Sequence, residues 1–241
     1  MTSHTARLLL VRHGETEWHA ENRYAGISDI ALTPEGREQG AALARWATGA
    51  GVSAVVASPL GRARHTAEPA ATALGLPLEV VPGLREMDFG WGEGRTVAEM
   101  AAEDPEAVRR FREDADSGLF PGAEPLAAVA ARATGALREL AVRHPGGTVL
   151  VVAHSTLLRI ALCALLGLPL GRYRLLFPRL DNAAVTEIRF TAGETGPAAL
   201  YSLNTPTATA TATAVGTDTG TDGGGPRTRT AAPESADRTR D

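Results

Sequence analysis

Apolar residues in this chain gather into short unbroken runs, and longer stretches with helical spacing lie between them. The runs Leu8–Arg12, Val52–Ala57, Leu78–Val81, Thr148–Ala153, Ala184–Phe190 and Ala199–Leu203 have strand length, and several are too uniformly aliphatic to leave a face in water. Between them, Pro34–Trp46, Leu60–Leu74, Val97–Ala102, Pro105–Ala115, Pro125–Val142 and Thr156–Leu166 read as helices. Thr33 before Pro34-Glu35-Gly36 is a capping residue followed by proline at the first helical position, a clear helix start. Strands alternating with helices predict an α/β chain: a single domain with a mostly parallel central sheet and helices on both faces.

Composition changes abruptly near Asn204. From Thr205 to Asp241 the chain is built from Thr, Ala, Gly, Asp, Pro, Ser, Glu and Arg, with Val215 its only large aliphatic residue. Such a segment buries too little surface to offset its ordering entropy, so a disordered tail is expected. The expected division is a short extension over 1–6, a folded domain over 7–204 and the tail over 205–241. A formal net charge of −4 argues against nucleic acid as a partner, which would call for a basic face. All cationic side chains are arginine. Cys163, the one cysteine, sits in an apolar segment and reads as an inert core residue. Neither a signal peptide nor a run of ~20 apolar residues is apparent, so no membrane partner and a cytoplasmic location are expected.

Candidate chemistry stands at the ends of the strands. Leu8–Val11 ends in Arg12-His13-Gly14, and Thr148–Ala153 ends in His154-Ser155. In a parallel sheet both ends lie on one edge, the edge where open α/β sheets bind ligands. Val52–Ala57 leads into Ser58-Pro59-Leu60-Gly61-Arg62, a turn and then a helix with Arg62 in its first turn. Arg12 and Arg62 are planar forks suited to a phosphate dianion, and the amides opening the second helix are expected to point the same way. A neutral histidine can attack phosphorus, and a second histidine opposite it can donate to the phosphoryl oxygens. Glu86 and Asp88, in Leu84-Arg85-Glu86-Met87-Asp88-Phe89-Gly90, both qualify as the acid for the leaving oxygen.

The combination LVRHGET, SPLGRARHTAE, LREMDFG and VVAHS, spread over about residues 7 to 204, resembles the histidine phosphatase superfamily in its phosphoglycerate mutase-like branch. That resemblance implies the phosphoglycerate mutase-like fold and a metal-independent enzyme without cofactor. It implies catalytic roles for Arg12, His13, Arg62, Glu86 and His154, with His13 as nucleophile, and it selects Glu86 over Asp88 as the general acid. Substrate contacts are implied for Arg12, Arg62, His19, Ala25, Gly26, His154 and Ser155. The expected partner is a small-molecule phosphate monoester, hydrolysed through a phosphohistidine.

Two departures qualify the resemblance. His19 stands where the family usually has asparagine; an imidazole there can donate to phosphate, with a charge that depends on pH. Trp91 also falls one residue earlier than in many relatives. Glu15 and Glu93 are expected to orient arginines or hold loops, His4 and His144 to be exposed, and His65 to sit on the helix surface or behind the site. The alternatives are a phosphoglycerate mutase and a non-catalytic binder of phosphorylated ligands. Mutases of the family carry a longer basic insertion, whereas Arg109-Arg110 is the only adjacent arginine pair between Glu86 and His154. A binder would have lost the nucleophile or the acid, and this chain retains both.

Overall fold

Three adjacent strands carry the chemistry. In the computed structural model, which describes residues 6–190 and 198–207, the sheet is built from β1 (Ala6–Arg12), β2 (Ala54–Ala57), β3 (Leu78–Val80), β4 (Thr148–Ala153), β5 (Val185–Phe190) and β6 (Ala198–Thr205). Its order is β3-β2-β4-β1-β5-β6. Strands β3, β2, β4 and β1 are mutually parallel; β5 runs antiparallel to both of its neighbours. The sheet is therefore mostly parallel, as the pattern predicts. The pairing Arg12↔Ala153 sets the next residues, His13 and His154, side by side at one edge. Ala57↔Val152 brings Ser58 to the same edge.

Alternation along the strands sorts side chains to two faces, and each face has its own core. Leu9, Val11, Val55, Ala57, Leu150 and Val152 pack beneath helices α1 (Pro34–Ala47) and α2 (Gly61–Leu74). Leu8, Leu10, Val56, Val149, Val151 and Ile188 face the opposite way. They are covered by residues of α3 (Val97–Glu103), α4 (Pro105–Glu113), α5 (Leu126–Arg143), α6 (Ser155–Leu165) and α7 (Tyr173–Leu176). The result is a single α/β domain with helices on both faces. Thr33 caps α1 as expected, its Oγ1 accepting from the Gly36 amide at 3.0 Å.

Some bounds differ from those the pattern predicts. The second helix opens at Gly61, because Leu60 is extended (φ −72°, ψ 137°) and serves as its cap. Four-residue α7 has too little periodicity to be foreseen. Strand β6 runs to Thr205, and Thr207 is buried with its Oγ1 donating to the Ala183 carbonyl, so the folded chain extends three residues into the expected tail. The rest of that expectation, residues 208–241, lies outside the described residues.

Candidate active site

The rings of His13 and His154 have centroids 5.2 Å apart, a direct consequence of the β1–β4 register. Nδ1–H of His13 donates to its neighbour's carbonyl, Gly14 O, at 2.7 Å, so Nε2 carries the free lone pair. Gly14 is required here: a Cβ would lie 2.4 Å from the Gly36 carbonyl. Nε2 of His154 lies 2.6 Å from Ser58 Oγ. Ser58 Oγ accepts the Leu60 amide at 3.3 Å, and its hydroxyl proton can be given to His154 Nε2. In that tautomer the His154 proton is on Nδ1, which is buried with no partner among the described residues.

Both arginines are held by backbone carbonyls. Arg12 Nη1 donates to Leu180 O at 2.8 Å. Arg62, 1% exposed, donates from Nη1 to Ser28 O and from Nη2 to the carbonyls of Ala25 and Gly26. No carboxylate neutralises either guanidinium by contact among the described residues, and the Nε of each is buried without a partner. Arg12 Nε, Arg62 Nε and His154 Nδ1 are thus three buried nitrogens without a partner among the described residues.

The loop that grips Arg62 is itself strapped down. Glu93 accepts the amides of Gly26 and Ser28 at 3.0 Å, the loop-holding role expected of it. Glu15 likewise accepts from Thr33 Oγ1. Ala25 and Gly26 were expected to contact substrate; their carbonyls hold Arg62, and the Gly26 amide is taken by Glu93. The first amide of α2, expected to face phosphate, donates to Asp29 Oδ1 at 2.9 Å. Negative charge already occupies that helix end.

The helix terminus open to chemistry is that of α6. Glu86, 4% exposed, accepts the amides of Thr156 (3.0 Å) and Leu157 (2.8 Å) there, and that of Met87 (2.8 Å). Arg132 of α5 fixes its backbone, donating to the carbonyls of Gly83, Arg85 and Glu86. Asp88 turns away, its carboxylate accepting the Gly90 amide. Only Glu86 shares the buried edge with His154. Ser155, half-buried, opens the same helix.

Burial dominates the electrostatics. It holds His13 well below the ordinary histidine range, helped by Arg62 and Arg12, and holds His154 there too, helped by Arg62. Both rings are neutral at neutral pH. Burial pushes the Glu86 carboxyl above its usual value, outweighing its backbone donors and Arg62. Arg12 falls to about 10, through burial and then the charge of Arg159, and stays cationic. A neutral imidazole, a carboxyl inclined to keep its proton and clustered cationic donors can together bind an oxyanion, attack it and protonate a leaving group.

His19 departs from expectation. Its Nε2 lies 2.6 Å from Arg12 Nη2, which can only donate, while its Nδ1 accepts the Thr16 amide at 3.0 Å and lies 2.8 Å from Thr16 Oγ1. Both ring nitrogens are engaged within the protein. Burial and Arg12 lower its pKa to about 4, so the pH-dependent cation expected there does not form near neutrality. His19 orients Arg12.

Three positioning residues were not singled out from the sequence: Ser58 and Arg132 act across the fold, and Asn182 donates to the His13 carbonyl at 2.7 Å. The Ser-Pro before Arg62 was the one available pointer to Ser58. His65 is exposed, His144 is half-buried at the end of α5 rather than exposed, and His4 lies outside the described residues. Cys163 is buried, its thiol pushed up to about 11. Among the described residues no three His, Cys, Asp or Glu side chains are grouped to hold a metal ion, and no helix is long and apolar enough to cross a membrane.

Residues 8–202 match the model of the histidine phosphatase superfamily (branch 1). The chain is 44% identical over 191 residues to Bifunctional protein Rv2228c of Mycobacterium tuberculosis, covering 77% of this chain but only 50% of that protein's length. It is 34% identical over 184 residues to a probable phosphoglycerate mutase, GpmB, of Cronobacter sakazakii, covering 76% of this chain and 85% of the relative. Among solved structures, the mycobacterial glucosyl-3-phosphoglycerate phosphatase Rv2419c superposes with a TM-score of 0.76 at 30% identity, over 84% of this chain and 100% of that one.

Proposed function

The chain belongs to the histidine phosphatase superfamily, and on that premise we propose that it is a phosphomonoesterase acting on a small phosphorylated metabolite through a phosphohistidine on His13. The phosphoryl group is bound by Arg12, Arg62 and His154. Nε2 of His13 attacks phosphorus as the ester P–O bond breaks, and the departing alkoxide takes the Glu86 proton. Glu86, now a carboxylate, removes a proton from water, which attacks the phosphohistidine. Inorganic phosphate leaves, and His13 and protonated Glu86 are restored. In-line displacement of this kind asks mainly for positioning and charge stabilisation, which arginines and histidines supply.

The observation that carries this reading is the His13 hydrogen bond to Gly14 O, which leaves a neutral Nε2 on a ring 5.2 Å from that of His154, with Arg62 and Arg12 the foremost charges acting on it. A relative named as a probable phosphoglycerate mutase keeps return of the phosphoryl group to the substrate as the second reading. One assay separates them: phosphate release from p-nitrophenyl phosphate and a panel of phosphorylated metabolites, beside interconversion of 3- and 2-phosphoglycerate. Phosphate release by the wild type, abolished in His13→Ala, is expected. Interconversion outpacing release would make the protein a mutase, and activity in neither assay would leave a binder.

A further inference from the structure

The turn between α7 and β5 grips the end of β1 where the nucleophile stands. It makes three bonds to two consecutive residues of the site. The Leu180 carbonyl accepts from Arg12 Nη1 at 2.8 Å, the Ala183 amide donates to the Arg12 carbonyl at 2.8 Å, and Asn182 Nδ2 donates to the His13 carbonyl at 2.7 Å. Leu180 and Ala183 are buried, and the turn closes with the Ala184 amide donating to the Asp181 carbonyl at 3.3 Å. Its third residue, Ala183, has φ 57°, a left-handed conformation that usually takes glycine at that place in a turn and that a Cβ disfavours. A residue held there persists only because its surroundings over-determine it.

Those surroundings come from the end of β6. Asn204, itself at φ 53° as asparagine tolerates, accepts the Asp181 amide on Oδ1 at 2.6 Å and donates from Nδ2 to Asp181 Oδ2 at 3.0 Å. Its own amide donates to Thr186 Oγ1 at 3.1 Å. The other carboxylate oxygen of Asp181 meets Arg179 at the surface. At the far end of the turn, Thr207 Oγ1 donates to the Ala183 carbonyl at 3.4 Å. Both ends of the turn are therefore tied to residues 204–207, while its inner side holds Arg12 and His13. Among the described residues Asn204 bonds to Asp181 and Thr186, so its reach to the site runs through the turn.

We propose that the Asp181–Asn204 pair is a lock that keeps this strained turn closed, which makes Asn204 a positioning residue for the nucleophile His13 and for Arg12. The proposal rests on the phosphatase reading for its kinetic consequence but not for its grip on Arg12. With the lock open, Ala183 relaxes toward negative φ and withdraws the Leu180 carbonyl and the Asn182 amide group from their partners. His13 and the Arg12 guanidinium are then placed by β1 and the remaining contacts alone. Since a shift on the order of 1 Å caused far from the chemistry can cost about a hundredfold in rate, even a partial release is felt at the reacting nitrogen.

Asn204→Gly keeps the left-handed backbone and removes both side-chain bonds. It should lower kcat for p-nitrophenyl phosphate by about tenfold or more, with the rate of phosphohistidine formation in rapid quench falling in step. Asn204→Asp keeps an oxygen for the Asp181 amide but sets two carboxylates together, and should lose as much. Adding Asp181→Asn restores a donor between them and should return kcat to within about threefold of the wild type. Tyr201→Ala controls for general loosening of β6, because it removes the ring that lies 3.9 Å from the Arg189 guanidinium and leaves the turn untouched. At a comparable fall in melting temperature it should leave kcat unchanged. A wild-type kcat in Asn204→Gly, no rescue in the double variant, or an equal loss in Tyr201→Ala would overturn the lock. Should Asn204→Gly fail to fold, Asn204→Asp and the double variant decide. Calorimetric binding of inorganic phosphate to the same proteins separates the two claims. Phosphate binding that depends on Asn204 without any turnover sinks the phosphatase reading alone; turnover indifferent to Asn204 sinks the lock alone.

Discussion

His154 can offer a proton from Nδ1 only while Ser58 donates to Nε2. Ser58→Ala should therefore lower kcat by roughly tenfold, the scale of a lost orienting contact, while the melting temperature moves by only a few degrees. An unchanged kcat would show that the tautomer is set elsewhere. Glu86 makes a sharper case. Its pKa is raised, so the proton it donates is lost as pH rises through that raised value. Turnover of alkyl phosphates should fall on that limb, and Glu86→Gln should slow them far more than p-nitrophenyl phosphate, whose leaving group needs little protonation. Equal losses on both substrates in the phosphorylation step, or a larger effect from Asp88→Asn, would remove the acid role from Glu86. His19 supplies the contrary control. With its pKa lowered to about 4, His19→Asn should leave the pH dependence of KM unaltered at pH 6 to 8. A changed profile there would mean the ring is charged in the complex. Arg12, His13 and His154 stand out in the sequence because they end apolar runs, whereas Glu86 is separated from Asp88 only by the family resemblance. The inward role of His19 is not legible, because it depends on Arg12 Nη2 meeting its Nε2 in the fold.

Elements hold these residues through backbone contacts. The β1 end and the start of α1 approach so closely that Gly14→Ala would drive a Cβ to 2.4 Å from the Gly36 carbonyl. That overpacking should cost about 1–3 kcal/mol and lower the melting temperature; an unperturbed melt would show that the two segments separate freely. The loop on Arg62 depends on Glu93, whose carboxylate takes two of its amides. Glu93→Gln keeps the shape but weakens both bonds, so KM for phosphomonoesters should rise more than kcat falls. A variant with the kinetics of the wild type would exclude the strap from substrate binding. Helix and strand positions were readable from periodicity. The anion-facing helix end was misjudged: α2 and α6 both open beside the edge, and only the fold shows that Asp29 fills the first while Glu86 sits at the second.

At the scale of the molecule, the site exists because β1 and β4, about 140 residues apart, pair in parallel with His13 and His154 in adjacent rows. The runs themselves announce two buried strands but not that they are neighbours, since pairing is settled by packing on both faces. Likewise Asn182, Arg132 and Ser58 are not singled out by the sequence, as each acts on a residue far away along the chain. At the other end, the folded unit includes Thr205 to Thr207, whose composition alone placed them outside it. Truncation after Asn204 should melt earlier than truncation after Thr207, because it removes a buried side chain bonded to Ala183; coincident melts would contradict that packing. The central claim, a phosphoryl group carried on His13, is tested most directly by acid- and base-quenching the enzyme during turnover of a labelled phosphomonoester. The label should survive base but not acid, map to the peptide containing His13, and be absent from His13→Ala. Label that survives acid, or that persists in His13→Ala, would contradict the mechanism.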